Sequence, residues 1–166
     1  MMGRAFVFGD NVDTDLLAPG AYMKSSAQEL ARHCLEALDP SFPVEVRQGD
    51  IVVAGANFGM GSSREQAAVS LKLLGVSAVL ATSFARIFFR NAINLGVPAV
   101  VFEEAAEISP GDHLEIRLEE GTVDNLTTGK TYRLEPLPSH IMAMIRDGGL
   151  LPHLKRRLSA PESDDE

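Results

Sequence analysis

Gly49-Asp50-Ile51-Val52-Val53-Ala54-Gly55-Ala56-Asn57-Phe58-Gly59-Met60-Gly61-Ser62-Ser63-Arg64-Glu65-Gln66-Ala67 is the stretch whose reading decides the fold. An apolar run, Ile51 to Ala54, passes through glycines into an apolar-periodic segment beginning near Arg64, which predicts a strand, a tight turn and a helix. Glycines let the backbone approach a ligand closely, and the free amides and dipole of a helix start favour negative charge. Ser62, Ser63 and Arg64 then complete a candidate anion site. A second expectation competes with it. Ser62-x-x-Glu65 and Ser63-x-x-Gln66 each match a capping box, in which one serine simply caps the helix and contributes ~1 kcal/mol. A second serine followed by arginine is more than capping requires.

The same alternation continues downstream. Arg64 to Leu74 reads as a helix with Ala67, Ala68, Leu71 and Leu74 on its buried stripe, stopped by Gly75, and Val76 to Ala81 as a second strand. Ser83 is positioned to cap a helix in which Phe84, Ile87, Phe88, Ala92 and Leu95 recur at helical spacing, and Ala99 to Phe102 is a third strand. Strands alternating with helices at these intervals predict an α/β fold with a parallel βαβαβ unit and right-handed crossovers. Beyond Pro110-Gly111 the period becomes two: Leu114, Ile116 and Leu118, then Val123 and Leu126, then Thr131 to Leu134, which predicts an antiparallel meander.

Upstream, Ala5 to Phe8 is a strand candidate ending in Gly9-Asp10-Asn11-Val12-Asp13-Thr14-Asp15. Leu16 to Ser26 reads as a loop with Tyr22, Met23 and Lys24 at its tip. Ser26-Ala27-Gln28-Glu29 is a capping box opening a short helix with Leu30, Ala31 and Cys34 on one face, ended by Asp39 to Pro43. At the far end Ser139 caps a helix carrying Ile141, Met142 and Ile145, Gly148-Gly149 closes it, and Pro152 opens a basic helical turn. One domain over residues 1–158, followed by an acidic, disordered tail over 159–166, is the expected organisation.

With 166 residues, 45% of them hydrophobic and 23% charged, the chain can bury a proper core. Its net charge of -8 excludes nucleic acid and anionic membrane as main partners. Cys34 is the single cysteine, so this sequence offers no intrachain disulfide and no multi-cysteine metal site, in keeping with a reducing, cytoplasmic location. At a helical apolar position it reads as a small core residue rather than a nucleophile.

Asp10, Asp13 and Asp15 are too irregular for an EF-hand, since Val12 and Leu17 fall where oxygen ligands would be needed. They serve either as a single-carboxylate magnesium site or as partners of their own turn backbone. Asp13-Thr14-Asp15 sits too far beyond Gly9 for a haloacid-type phosphatase nucleophile. Gly59-Met60-Gly61 starts like a dinucleotide fingerprint but has Arg64 at the third glycine, and no Gly-Lys-Ser or Gly-Lys-Thr marks a P-loop.

Three ordered segments, residues 9–15, 49–67 and Ser83 to Pro98 (Ser-Phe-Ala-Arg-Ile-Phe-Phe-Arg-Asn-Ala-Ile-Asn-Leu-Gly-Val-Pro), resemble the 3-isopropylmalate dehydratase small-subunit family, the aconitase swivel domain as a separate chain. The likeness runs to about Leu158. It implies a swivelling β/β/α domain of the aconitase domain-4 type, forming a heterodimer with a large subunit that carries a 4Fe-4S cluster. By the same resemblance this chain binds no cofactor or metal itself. The resemblance also implies a hydro-lyase of leucine biosynthesis that moves a hydroxyl between neighbouring carbons of a small dicarboxylate. Ser62 matches the catalytic serine that acts as base, Asp15 an active-site aspartate, and Ser63 and Arg64 carboxylate-binding positions. Tyr22, Met23 and Lys24 match the loop that selects the substrate. Apolar side chains there suit an isopropyl group; Lys24 suits a further carboxylate, which raises homoaconitate-type or methylmalate-type substrates, unless it faces solvent or pairs with Asp15. Met60 stands where many relatives have cysteine, and Gln66 where some have histidine. Arg86 and Arg90 meet the partner or the substrate, or form a solvated face. A non-catalytic anion-binding module on the same fold is the rival of another kind.

Overall fold

The computed structural model describes residues 1–160. The apolar runs become the middle of a sheet made by β1 (Met2–Val7), β2 (Ile51–Ala54), β3 (Ala78–Ala81), β4 (Ala99–Val101), β5 (His113–Arg117), β6 (Thr122–Asn125) and β7 (Lys130–Arg133). Among the described residues its order is β4-β3-β2-β1-β5-β6-β7. β1 is the seam. Its first half, Met2 to Arg4, pairs antiparallel with β5, while Ala5 to Val7 pair parallel with β2.

Every residue of β2 and β3 is buried, as a parallel strand covered on both faces demands. Alternate residues serve two cores. Val52, Ala54, Val79, Ala81 and Ala99 pack under the helices, whereas Ile51, Val53, Ala78, Leu80 and Val100 meet Leu114, Ile116 and Val123 of the meander. The meander therefore curls back over one face while helices cover the other, giving the β/β/α layering.

The helices are α1 (Thr14–Leu17), α2 (Ala27–Ala31), α3 (Phe42–Glu45), α4 (Gln66–Leu73), α5 (Arg86–Asn94), α6 (Ser139–Arg146) and α7 (Leu150–Ser159). Several boundaries differ from expectation. β1 begins at Met2, because Gly3 and Arg4 complete the ladder to β5. The segment read as loop from Leu16 opens helically, since Asp13 Oδ1 accepts from Leu16 N at 2.9 Å and caps α1. α2 ends at Ala31, before Cys34, and Asp39 to Pro43 leads into α3 instead of ending α2: Asp39 Oδ1 accepts from Ser41 N and Oγ at 3.0 and 2.6 Å, and proline suits a first helical turn. Val76 closes the end of α4, its N bonded to Leu71 O at 3.1 Å, and β3 starts at Ala78.

Ser83 does not cap α5, which begins at Arg86, and Ser139 is the first residue of α6 rather than its cap. Ile87 and Leu126, placed on buried faces by periodicity, are 47% and 53% exposed. Leu74 is half-buried at the end of the α4 stripe, and Gly75 stops that helix with φ +85°. α7 continues to Ser159; residues 161–166, which hold most of the expected tail, lie outside the described residues. No helix among the described residues is long and apolar enough to cross a membrane.

Candidate functional site

Loops leaving the carboxyl ends of the parallel strands are stitched together by their backbones. After β1 and β2, Gly55 N donates to Gly9 O, Asn11 N to Ala56 O, Gly59 N to Val12 O and Thr14 N to Met60 O, all at 2.7–3.1 Å. The loop after β3 joins from the other side, with Phe58 N on Ser83 O and Ala85 N on Phe58 O at 3.1 and 2.9 Å. Side chains secure the same seam: Asp10 Oδ1 accepts from Ala56 N at 2.7 Å, Ser83 Oγ from Asn57 N at 2.8 Å, and Asn11 Oδ1 from Asn57 Nδ2 at 3.0 Å. Ligands of open parallel sheets characteristically bind beyond the carboxyl ends of the strands, and these loops carry the predicted residues to that edge.

Glycine is required where the seam is tightest. Gly59 has φ +83°, and a Cβ there would overlap the Phe88 side chain of α5; at Gly55 it would overlap the Asp10 carboxylate. Asp13 accepts from Leu16 N in its own turn, as one of the two expectations has it, whereas Asp10 departs from that expectation and accepts from Ala56 N in the neighbouring loop.

Asp15 behaves differently. Its Oδ1 accepts from Arg64 Nη1 at 2.9 Å and from Gly20 N at 3.0 Å. Those bonds, the one from Arg64 foremost, hold its carboxyl below the ordinary 3.8 although the side chain is 69% exposed. Arg64 Nη1 also donates to Ala18 O at 2.9 Å. Both hydrogens of that nitrogen are thus committed, while Nη2 and Nε make no such bond among the described residues and remain for an incoming anion.

For Ser62 and Ser63 the capping expectation is not met. α4 begins at Gln66, two residues later than predicted, its N-cap Glu65 is already helical in φ and ψ, and no side chain caps it. Both serines are exposed. The first helical amides are occupied too, Ala67 N by Arg64 O and Ala68 N by Glu65 O. The helix start therefore offers fewer free amides beside Ser62 than the sequence suggested.

The loop residues divide. Tyr22 and Met23 are half-buried against the helical core, whereas Lys24 is exposed. Asp15 pairs with Arg64 instead of Lys24. Arg86 and Arg90 are exposed on α5. Cys34 is fully buried and its thiol is pushed up by that burial, away from the thiolate needed to bind a metal, so this chain's cysteine does not suit a cluster ligand. Among the described residues no group of three or more His, Cys, Asp and Glu side chains is arranged to hold a metal ion.

Residues missed by sequence reasoning are the stitching ones, Asn11, Asn57 and Ser83, together with His33, on whose ring Tyr22 is stacked. Asn11 and Asn57 have φ near +58°, a conformation asparagine tolerates better than most residues, but nothing local announces it. For His33 a signal existed: Glu29 four residues before and Glu36 three after are at helix-neighbour spacing.

Residues 11–105 match the family described as the aconitase C-terminal domain. The chain belongs to that family. Among its relatives, the aconitase-family chain named 3-isopropylmalate dehydratase small subunit 1 of Thermotoga maritima is 49% identical, over 96% of this chain and 98% of that one. The methanogen homoaconitase small subunit of Methanothermobacter thermautotrophicus is 48% identical over 99% and 96%. A crystal structure of 3-isopropylmalate dehydratase from Methanocaldococcus jannaschii superposes with a TM-score of 0.90 at 44% identity, covering 95% and 94% of the two chains. The swivel-domain fold expected from the resemblance is thus the fold observed.

Proposed function

We propose that this chain is the small subunit of a 3-isopropylmalate dehydratase, a hydro-lyase interconverting 2- and 3-isopropylmalate in leucine biosynthesis, active only with its large subunit. The observation that carries the reading is the turn itself: two exposed serines that do not cap the helix, beside an arginine steadied by Asp15 with donors to spare. Near-half identity along almost the whole chain to the small subunit from Thermotoga maritima supports it. In this reading residues 1–158 work as one swivel domain in the cytoplasm.

Each residue then has a distinct task. Arg64 offers Nη2 and Nε to a substrate carboxylate as two parallel hydrogen bonds, which fixes the carbon beside it against Ser62. Ser62 Oγ, as its alkoxide, takes the proton from that carbon while the hydroxyl on the neighbouring carbon departs, leaving a double bond. Hydroxide then adds to the carbon that lost the proton while Ser62 Oγ returns its proton to the carbon that lost the hydroxyl, which regenerates the alkoxide. Ser63 binds the same carboxylate, and Asp15 keeps Arg64 from swinging into solvent. The iron–sulfur cluster, assigned by the resemblance to the large subunit, supplies the Lewis acid for the departing hydroxyl. The exposure of Ser62, Ser63 and Asp15 accords with a half-site that the larger chain covers.

A second substrate reading has one specific observation behind it. Lys24 is exposed at the tip of the selecting loop and free of Asp15, so a cation is available for the extra carboxylate of a homoaconitate-type substrate. The test is to reconstitute the chain with its large subunit and measure turnover of isopropylmalate, homoaconitate and methylmalate. Isopropylmalate turnover that dominates and disappears in Ser62→Ala supports the assignment; failure on all three substrates overturns it.

A further inference from the structure

The turn that carries Tyr22 touches the candidate site at one end and His33 at the other. Gly20 to Tyr22 form a single 3-10 turn. At its start Gly20 N donates to Asp15 Oδ1 at 3.0 Å, and two residues earlier Ala18 O accepts from Arg64 Nη1 at 2.9 Å. At its end the Tyr22 ring lies flat on the His33 imidazole, with centroids 3.5 Å apart and planes within 1°. Space around Gly20 is limited: a Cβ there would stand 3.3 Å from Asp15 Oδ1. Movement of the turn is therefore felt at both groups that orient Arg64.

His33 is held on both sides. Its Nδ1 lies 2.9 Å from each oxygen of Glu36, and its Nε2 lies 3.2 Å from Glu29 Oε1. Glu29 is itself fixed, its backbone N–H by Ser26 Oγ at 3.1 Å and its other oxygen by Arg32 at 3.2 Å. The groups facing the ring are Glu29, Glu36 and Tyr22. Lys72, the charged residue of α4, the helix packed on α2, makes no ion pair among the described residues.

We infer that His33 is a positioning residue for substrate binding: by stacking on Tyr22 it fixes the Ala18–Tyr22 segment, and through Ala18 O and Gly20 N it fixes the Asp15–Arg64 pair that receives the substrate carboxylate. The inference rests on the proposed role of Arg64. A neutral imidazole has one N–H, so it can satisfy only one of the two glutamates and presents a lone pair to the other; the imidazolium satisfies both. The hydrogen bond to Glu36, then that to Glu29, outweigh partial burial and raise the His33 pKa above the ordinary 6.5. A raised pKa means the clamp is fully present below about 6.5 and is lost as pH rises through the raised value. KM should therefore be lowest on the acid side of that window and climb above it.

The test uses the small subunit reconstituted with its large subunit, comparing His33→Ala, His33→Phe, Tyr22→Ala and Arg64→Lys. His33→Ala and Tyr22→Ala are each expected to raise KM about tenfold with kcat within about twofold, and the double variant to be no worse than either alone. His33→Phe keeps a flat ring for Tyr22 but offers no N–H to Glu29 or Glu36, so its KM should sit at the wild-type high-pH value, below that of His33→Ala, and no longer change with pH. If His33→Ala leaves KM unchanged, or lowers kcat and Tm together without a KM effect, the inference fails. A His33→Phe variant that keeps the wild-type pH dependence of KM overturns it as well. Arg64→Lys separates the two levels: an unchanged KM there removes the site reading itself, whereas a raised KM beside an unaffected His33→Ala removes only the role of His33.

Discussion

Ser26-x-x-Glu29 and Ser62-x-x-Glu65 carry the same helix-start signal, and the fold uses them in opposite ways. Ser26 Oγ accepts from Glu29 N at 3.1 Å and caps α2 in the expected manner. Ser62 is left exposed, with α4 starting beyond Glu65 and without a side-chain cap. The flanking chain makes the difference. Residues 57 to 60 are fastened on both sides, to Val12 and Thr14 by one loop and to Ser83 and Ala85 by another, and the glycines accept the conformation this imposes. A local capping preference of ~1 kcal/mol does not override several backbone hydrogen bonds. The hydroxyl thereby released from structural duty is available for chemistry.

Substitution of the two serines should have opposite consequences. The largest effect is expected for Ser62→Ala in the reconstituted enzyme: kcat should fall by about 10²–10⁴-fold, the range for a lost general base. Its Tm should stay within about 1 °C of wild type, because a noncapping exposed hydroxyl contributes little. A clear drop in Tm with activity retained would restore the capping role and remove the catalytic one.

Next in size is Gly59→Ala, which places a Cβ against Phe88 at φ +83° and loosens the frame that keeps Ser62 uncapped. A loss of about 3 kcal/mol is expected from combined backbone strain and overpacking, read from the urea midpoint. Wild-type stability in this variant would mean that the loops, not the glycine, set the turn. Ser26→Ala should cost ~1 kcal/mol with kcat unchanged, the mirror image of Ser62→Ala.

The smallest effect concerns acid. Because the folded-state pKa of Asp15 is depressed, mainly by Arg64, its contribution to the turn is present above the ordinary 3.8 and is lost only as pH falls through the lower folded value. An NMR titration of the isolated subunit should find the Asp15 carboxyl below 3.8, and Arg64→Gln should return it toward that value. A normal titration in the wild type would show that the pair does not hold in solution.

Much of the fold was legible because its demands are local and repetitive. Strands buried on both faces must be apolar throughout, and Ile51 to Ala54 and Ala78 to Ala81 are; a meander with one wet face must alternate, as Leu114 and Ile116 do. Helix starts at Arg86 and Gln66 were less legible, since Ser83 and Ser62 match capping patterns, yet Ser83 is bonded to Asn57 and residues 58–60 just before Ser62 are held by distant loops. The Asp15–Arg64 pair joins residues 49 positions apart, and the Tyr22–His33 stack joins rings from two segments, so neither leaves a periodic trace.

By itself the sequence determined the α/β alternation, the antiparallel meander and the chemical inventory of the turn, because apolar pattern and glycine placement act over a few residues. Tertiary structure alone decided which hydroxyls are free, where Arg64 points and what steadies it. Those outcomes depend on hydrogen bonds between loops whose closeness only the packed sheet creates.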